Sequence, residues 1–425
     1  MQEASLTIPF RGDGDPPSDA ALPRRSQSCP SAGLRVLHVI PSVSLSSGGP
    51  ARAMAQIEQG LSARGVHVVT ATTDDDGPAG RMDVPLGRLV PCNGAERIYF
   101  PRQTSLYKAS LPFARWLWRS LAGFDAVHVH SLFSFAPVVA AAIAANRGVP
   151  CIIRPLGVLN HYGMQHRRSA FKALSIRMVE GPLLTRAAAV HFTSRQEQEE
   201  AETLGFTLRS RVIPLGISPL KKERSGAYEA RFGKAGFPHL LFVSRIDRKK
   251  NLDVLLRAFA LVLARYPQAR LSICGDGDRA YLAEVRLTAE QLQVAPAVVW
   301  AGHVEGHLKA SAFGSADVFV LPSFSENFGI AAVEALSAGL PCVLGRGVAV
   351  ADEIQAAAAG IAVAPEAEAV ASAICELVAD DDYRARASQA ARALARERYS
   401  PDAMIDGLCS LYAGITGSHS HRAQA

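Results

Sequence analysis

The chain has 425 residues, 48% of them apolar and 20% charged, with a formal charge of +6 at pH 7. That length exceeds what a single hydrophobic core serves, so two or three domains are expected, and the composition excludes a disordered chain, a collagen-like repeat and a disulfide-stapled miniprotein. The mild positive charge suits phosphate groups or an anionic membrane surface and falls short of what nucleic-acid binding needs.

Residues 1–33 contain Pro, Ser, Asp and Arg but no continuous apolar stretch that could form a signal-peptide core. They read as a disordered tail, and the chain is expected to stay in the cytoplasm. No apolar run approaches the ~18 residues of a membrane span. The seven cysteines are scattered without CxxC spacing, which favours free thiols over disulfides or a zinc site.

From residue 34 onward short apolar runs alternate with helical patterns. Residues 34–40 read as a buried strand, and Gly48-Gly49-Pro50 then opens a helix over 51–64. A strand at 66–72 leads into Asp74-Asp75-Asp76, and further strands are expected at 126–130, 151–154 and 188–193. Residues 212–217 combine a strand end with Pro214 and Gly216, and a charged stretch follows to Lys234. The domain junction is placed there, giving units of 34–216 and 217–398, with 399–425 as a C-terminal helix crossing back to the first unit, then a tail. In the second unit, strands are expected at 240–244, 271–274, 298–301, 318–321 and 341–344. An amphipathic helix follows the first of these, over 252–265, and alanine-rich helices are expected at 351–373 and 387–395. Such alternation predicts an α/β protein of two doubly wound Rossmann-like domains facing across a cleft, with the ligand at the carboxyl ends of the strands.

The densest motif runs from Pro322 to Ala335 and carries Glu326, Asn327, Phe328, Gly329 and Glu334. A strand end, a loop and a helix start fall there in succession, and exposed amides beside a glycine form an anion site. A capped helix with solvated glutamates is the plainer reading. Eight residues of helix would separate the two glutamates by ~12 Å, against the roughly 5–9.5 Å of a glycosidase pair. The spacing therefore suits two carboxylates holding different parts of one long ligand. The second motif, Ser244 to Asn251, gathers Arg245, Arg248, Lys249 and Lys250 at the end of a strand. Cations there would neutralise a leaving diphosphate; a solvated basic turn is the alternative. Gly275-Asp276-Gly277 with Ala280 partly matches a dinucleotide fingerprint but lacks the acidic residue about 20 positions on.

In this order, Gly48-Gly49, Ser244-Arg245 with Lys250, Gly275-Asp276-Gly277, and Glu326 with Glu334 resemble glycosyltransferase family 4, retaining enzymes of the two-domain B-type glycosyltransferase fold. The likeness covers residues 34 to 415. It implies that Arg245 and Lys250 grip the donor diphosphate and that Glu326 contacts the transferred sugar. It further implies that Asn327, Phe328 and Gly329 offer amides, that Glu334 holds the ribose, and that Gly302, His303 and Val304 line the base pocket. Gly48 and Gly49 would face the diphosphate from the other domain, and no metal or other cofactor is needed. Leu156 stands where many members carry a histidine that contacts the donor sugar, and Ser244 stands where glycine is usual. His130, Arg154 and Asn160 are assigned to the acceptor side, with His161 a further substitute for the missing histidine.

Three weaker signals remain. Asp74 to Asp76, like Asp380 to Asp382, reads as a solvated loop rather than a metal motif. His128 and His130 share a strand face, and strand-end packing or acceptor contact outweighs a metal pair. The stretch from Tyr99 to Arg119 mixes aromatics with basic residues, which suits either a membrane interface or a core helix with snorkelling arginines. The expected function is a cytoplasmic retaining glycosyltransferase, peripheral to the inner membrane face if that stretch binds there. Its donor would be a UDP- or GDP-linked hexose and its acceptor a saccharide, with a lipid-linked one in surface polysaccharide synthesis as the leading choice. The rivals are a nicotinamide-dependent sugar-nucleotide oxidoreductase or epimerase, and a non-catalytic nucleotide-sugar-binding protein.

Overall fold

The computed structural model describes residues 31–44, 46, 48–77, 80–105, 107–159, 173–220, 226–234 and 236–423. Asn160, His161 and nearly all of the expected N-terminal tail lie outside these residues.

The first sheet has eight strands: β1 Arg35–Val39, β2 His67–Thr73, β3 Leu89–Cys92, β4 Ala95–Phe100, β5 Ala126–His130, β6 Cys151–Arg154, β7 Ala189–Phe192 and β8 Ser210–Val212. Their spatial order is β3-β4-β2-β1-β5-β6-β7-β8. Helices α1 Gly49–Ala63, α2 Leu111–Ser120, α3 Phe135–Arg147, α4 Gly181–Arg186 and α5 Arg195–Glu202 accompany it. The second sheet has six strands: β9 His239–Val243, β10 Arg270–Cys274, β11 Val298–Gly302, β12 Val318–Leu321, β13 Cys342–Gly345 and β14 Gly360–Val363. They run in the order β11-β10-β9-β12-β13-β14. Its helices are α6 Ala227–Phe232, α7 Leu252–Arg265, α8 Arg279–Gln291, α9 Gly306–Ser315, α10 Ile330–Ala338, α11 Ala351–Ala356, α12 Ala367–Ala379 and α13 Asp381–Arg398, and α14 Pro401–Ala423 ends the chain.

Each sheet winds outward in one direction, returns to its middle and winds the other way. The reversals fall between β1 and β5 and between β9 and β12, and the crevice at such a point is where doubly wound sheets hold ligands. Strands β9 and β12 are buried along their whole length, as expected of parallel strands covered on both faces. One face of the first sheet packs Leu37, Val127 and Val129 under α2 and α3. The other packs Val36 and Ala126 against Met54 and Ile57 of α1 and Met404, Leu408 and Tyr412 of α14.

Some local expectations need correction. Strand β3 pairs antiparallel with β4, because Asn93 and Gly94, both at positive φ, close a two-residue hairpin. The alanine-rich segment 351–373 is no single helix; α11 stops at Ala356, Ala358 takes a positive φ, and β14 follows before α12. The run Asp74 to Asp76 is not solvated: Asp74 and Asp75 are buried, and Asp75 accepts from Arg102 at 2.8 Å and pairs with Lys108. Among the described residues five cysteines are free, but Cys409 is disulfide-bonded. The segment before β1 lies against α14, where the Ser31 hydroxyl donates to the Cys409 carbonyl, so folding brings distant chain together there. The stretch from Tyr99 to Arg119 splits between β4 and α2, with Phe100 packed on Phe113 and Trp116, and Arg147 over the half-exposed Trp118 ring. No helix among the described residues is long and apolar enough to cross a membrane.

Candidate active site

The loop after β9 is shaped by its own side chains. Asp247 accepts from the Lys249 amide and caps a short turn over Arg248–Lys250, after which Asn251 (φ 59°) opens α7. The cations of this loop then go different ways. Arg248 lies on the surface, bonded to Glu284 at 2.8 Å and stacked over Tyr281. Arg245 is exposed. Lys250 turns inward, 4% exposed, and its ammonium contacts the Glu326 carboxylate. Burial, then Lys249 and Arg245, push that ammonium down to about 7, with Asp247 pulling the other way.

Glu326 sits on the loop after β12, the strand beside β9 at the reversal. Backbone bonds from Glu326 N to Gly347 O (2.8 Å) and from Ala349 N to Glu326 O (3.1 Å) pin this loop to the one after β13. A bond from Phe324 N to Lys249 O ties it to the cationic loop. Gly329 (φ 94°) caps α10, with Val348 only 2.8 Å from where a Cβ would stand, so no larger residue fits without displacement. The helix begins at Ile330, after Glu326, so a spacing computed along one helix does not apply to the two glutamates. Glu334 projects from α10 toward α9 and accepts from Lys309 at 2.6 Å. Asn327 is exposed, whereas the Phe328 ring is buried edge-on against Tyr399.

The turn after β11 divides its residues. Gly302 (φ 67°) accepts from the Gly275 amide at 2.7 Å, His303 is exposed beside Glu305, and Val304 is buried in the core. The Gly275-Asp276-Gly277 run has a packing role. A Cβ at Gly275 or Gly277 would stand 1.9 Å from the carbonyl oxygen of Ser244 or Ile246, so only glycine lets the two loops lie flush.

Two loops of the first domain form the opposite wall. Gly48 (φ 70°) caps α1, and a Cβ on Gly49 would lie 3.8 Å from Ile330 of α10. Gly157, after β6, would bring a Cβ within 2.3 Å of the Asn327 amide. Leu156 beside it takes a positive φ of 60°. His130 and Arg154 end their strands in register, and both are buried. Burial lowers the Arg154 guanidinium to about 10 against the pull of Glu197 and Tyr412, and its Nε has no hydrogen-bond partner among the described residues. His130 and His128 do not stand as a pair: His38 of β1 and His191 of β7 join them, and His38, His128 and His130 bring ring nitrogens within 4.8 Å of one another. Sequence reasoning missed His38, His191 and Lys309; the usable signal was a histidine inside each of two otherwise apolar strands.

The site is thus a crevice with buried and exposed cations, a glycine-capped helix start and two carboxylates on one wall, and glycine turns on the other. That arrangement, at the reversal points of two facing doubly wound sheets, defines a B-type glycosyltransferase fold. The family model for group 1 glycosyl transferases matches residues 229–394, and that for the glycosyl transferase 4-like domain matches residues 48–216. The chain belongs to glycosyltransferase family 4. It is 32% identical over 212 residues to the D-inositol 3-phosphate glycosyltransferase of Segniliparus rotundus, covering 47% of this chain and 46% of that protein. To the alpha-monoglucosyldiacylglycerol synthase of Streptococcus pneumoniae it is 31% identical over 144 residues, 32% of each. The chain thus matches less than half the length of these curated relatives. Among solved structures, Anabaena Alr3699/HepE with UDP superposes at a TM-score of 0.71 and 18% identity, over 90% of this chain and 100% of that one. The sucrose-phosphate synthase of Thermosynechococcus elongatus does so at 0.69 and 20% identity, over 91% and 100%.

Proposed function

We propose that this chain is a retaining transferase that moves a hexose from a UDP- or GDP-linked donor to an acceptor alcohol, and we assign a lipid-linked saccharide of surface polysaccharide synthesis as that acceptor. The observation that carries the reading is Lys250: a buried cation at the β9–β12 reversal, touching Glu326 and beside the start of α10. As the bond from the anomeric carbon to the diphosphate oxygen breaks, negative charge grows on the leaving group. Lys250, Arg245 and the amides of Asn327, Phe328 and Gly329 are the groups that would stabilise it, at fixed positions and without reorganisation. Glu326 would hold the sugar hydroxyls and Glu334, steadied by Lys309, the ribose; Gly302, His303 and Val304 would border the base. Gly48 and Gly49 would close over the diphosphate, and His130 and Arg154 would border the acceptor. With these cations balancing the diphosphate, no metal is required. Retention at the anomeric carbon is what family membership implies.

The donor class draws support from Anabaena HepE, a relative in fold solved with UDP-glucose. The lipid acceptor draws on the diacylglycerol-directed name of the pneumococcal relative. Nucleotide release from a panel of UDP- and GDP-sugars, with a lipid extract as acceptor and EDTA present, tests all of this. Arg245→Ala and Lys250→Ala should each lose about 3–4 kcal/mol of transition-state stabilisation, a few hundredfold in turnover. Glu334→Ala should weaken nucleotide binding, whereas Glu326→Ala should lower turnover. Near-normal turnover in both cation variants would remove the diphosphate assignment, and activity restored only by added magnesium or manganese would remove the metal-free one. A non-catalytic binding role is favoured by Leu156 in place of the family's histidine, and nucleotide binding without any release would select it.

A further inference from the structure

Four histidines, one arginine and one tyrosine meet on a single face of the first sheet, none more than 3% exposed. They are His38 on β1, His128 and His130 on β5, Arg154 on β6, His191 on β7, and Tyr412 reaching down from α14. Nothing in the proposed reaction uses His38, His128, His191 or Tyr412.

Their hydrogen bonds admit one consistent set of tautomers. The Ile213 carbonyl can only accept, so His191 Nε2–H donates to it (2.9 Å) and His191 Nδ1 must accept. His128 Nε2–H therefore donates to His191 Nδ1 (3.3 Å), and His128 Nδ1 accepts from the Tyr412 hydroxyl (2.8 Å). The Tyr412 oxygen then accepts from His38 Nε2–H (3.4 Å), and His38 Nδ1 accepts from His130 Nε2–H (2.9 Å). Every ring is neutral, and each bond fixes the direction of the next. A proton added to His38, His128 or His191 turns an acceptor into a donor that faces a donor and breaks the chain.

The surroundings hold the rings neutral. Burial, then Arg154, lowers His38 and His191 to about 3, and His128 and His130 lie well below the ordinary value for the same reasons and through mutual repulsion. Among the described residues no carboxylate is bonded to any ring. Glu197, whose charge acts on Arg154, already accepts from the amides of Gly157 and Thr193 and from the Thr193 hydroxyl. On the packed helices, Glu58 of α1 is bonded to Arg97, and Arg64 of α1 pairs with Asp402 and Asp406 of α14. Thr70 of β2 completes the face. A metal ion would have to take lone pairs of His38 and His128 that the chain already uses, next to the Arg154 charge.

We propose that this run of hydrogen-bonded rings from His130 to His191 is an acid-sensitive latch holding α14 across the first domain. Tyr412 bonds two strands at once, and α14 also bears on the interdomain linker, where Gly216 N donates to Met404 Sδ; just ahead of the helix, Ile217 N donates to Tyr399 O. Releasing Tyr412 therefore loosens both the helix and the joint between the domains. The sign follows from lowered folded-state values. The latch is complete above the ordinary histidine value near 6.5 and weakens as pH falls below it toward 3. If His38 and His128 each take a proton on release, the opening equilibrium grows about a hundredfold per pH unit in that window.

Hydrogen exchange of the full chain, divided by intrinsic rates, tests this between pH 7.5 and 5.0. Protection of residues 401–417 should fall at least about tenfold across that range, while β9 and β10 keep theirs. Tyr412→Phe, which keeps the ring and drops the hydroxyl, should show weaker helix protection already at pH 7.5. His38→Gln keeps an N–H toward Tyr412 but cannot titrate, so its helix should lose protection about tenfold less steeply per pH unit than the natural chain. Helix protection that does not change relative to β9 and β10, or a His38→Gln slope equal to that of the natural chain, overturns the latch. So does a Tyr412→Phe helix as protected as the unaltered one.

Discussion

Lys250 shows how much a single side chain depends on its surroundings. In the sequence it is one of several cations in a basic turn; in the fold it is the one turned inward against Glu326, its ammonium lowered to about 7 by burial and by its cationic neighbours. A bound diphosphate would favour the charged form and raise that value, so donor binding should take up a proton. Because the bound value exceeds the free one, donor affinity should be complete below pH 7 and fall as pH rises through and beyond it. Calorimetric titration of nucleotide sugar, whose diphosphate does not itself titrate in this range, at pH 6.0, 7.0 and 8.5 reads this directly. Lys250→Arg keeps a charge that does not titrate here, and its affinity should be flat across the range; an equally steep decline in that variant would place the titrating group elsewhere.

Between elements, close approach is set by glycines that a sequence reading passes over. Gly60 lies inside α1, where glycine costs about 1 kcal/mol relative to alanine. Its position explains that cost: a Cβ there would stand 2.5 Å from Ile405 of α14, so the two helices touch backbone to side chain. Gly60→Leu should overpack the contact and destabilise by about 1–3 kcal/mol. Thermal unfolding of the double variant with Ile405→Ala checks it, since the smaller partner should recover part of the loss. Simple additivity of the two changes would mean that α1 and α14 do not share this contact. The hairpin at Asn93-Gly94 was legible in its dipeptide and was passed over, whereas the break inside 351–373 carries no such signal, since alanine tolerates either conformation and β13 supplies the pairing for β14.

Taken whole, the molecule places glycine turns of the first domain against the helix start of the second, with Gly49 facing Ile330 and Gly157 facing Asn327. Neither domain alone completes the crevice, so donor binding should draw the two together, excluding water and favouring transfer over hydrolysis. Small-angle scattering with and without nucleotide sugar should show compaction. Gly157→Val, which puts two methyls into the space of the Asn327 amide, should blunt it. An unchanged scattering curve in the natural chain would leave closure without support.

The alternation of apolar strands and helical patterns determined the two facing doubly wound sheets, because parallel strands covered on both faces must be apolar throughout and so announce themselves in one dimension. The motifs from Ser244 to Asn251 and from Pro322 to Ala335 were equally visible, since a strand end, a glycine and a helix start are neighbours along the chain. Contacts between residues far apart in sequence were decided only by the tertiary structure. Lys250 meets Glu326 across 76 positions, Glu334 meets Lys309 of another helix, and Tyr412 meets His38 and His128 from the far end of the chain. Composition and spacing record which groups a chain carries; burial and pairing decide their charge, and both arise only when distant segments fold onto one another.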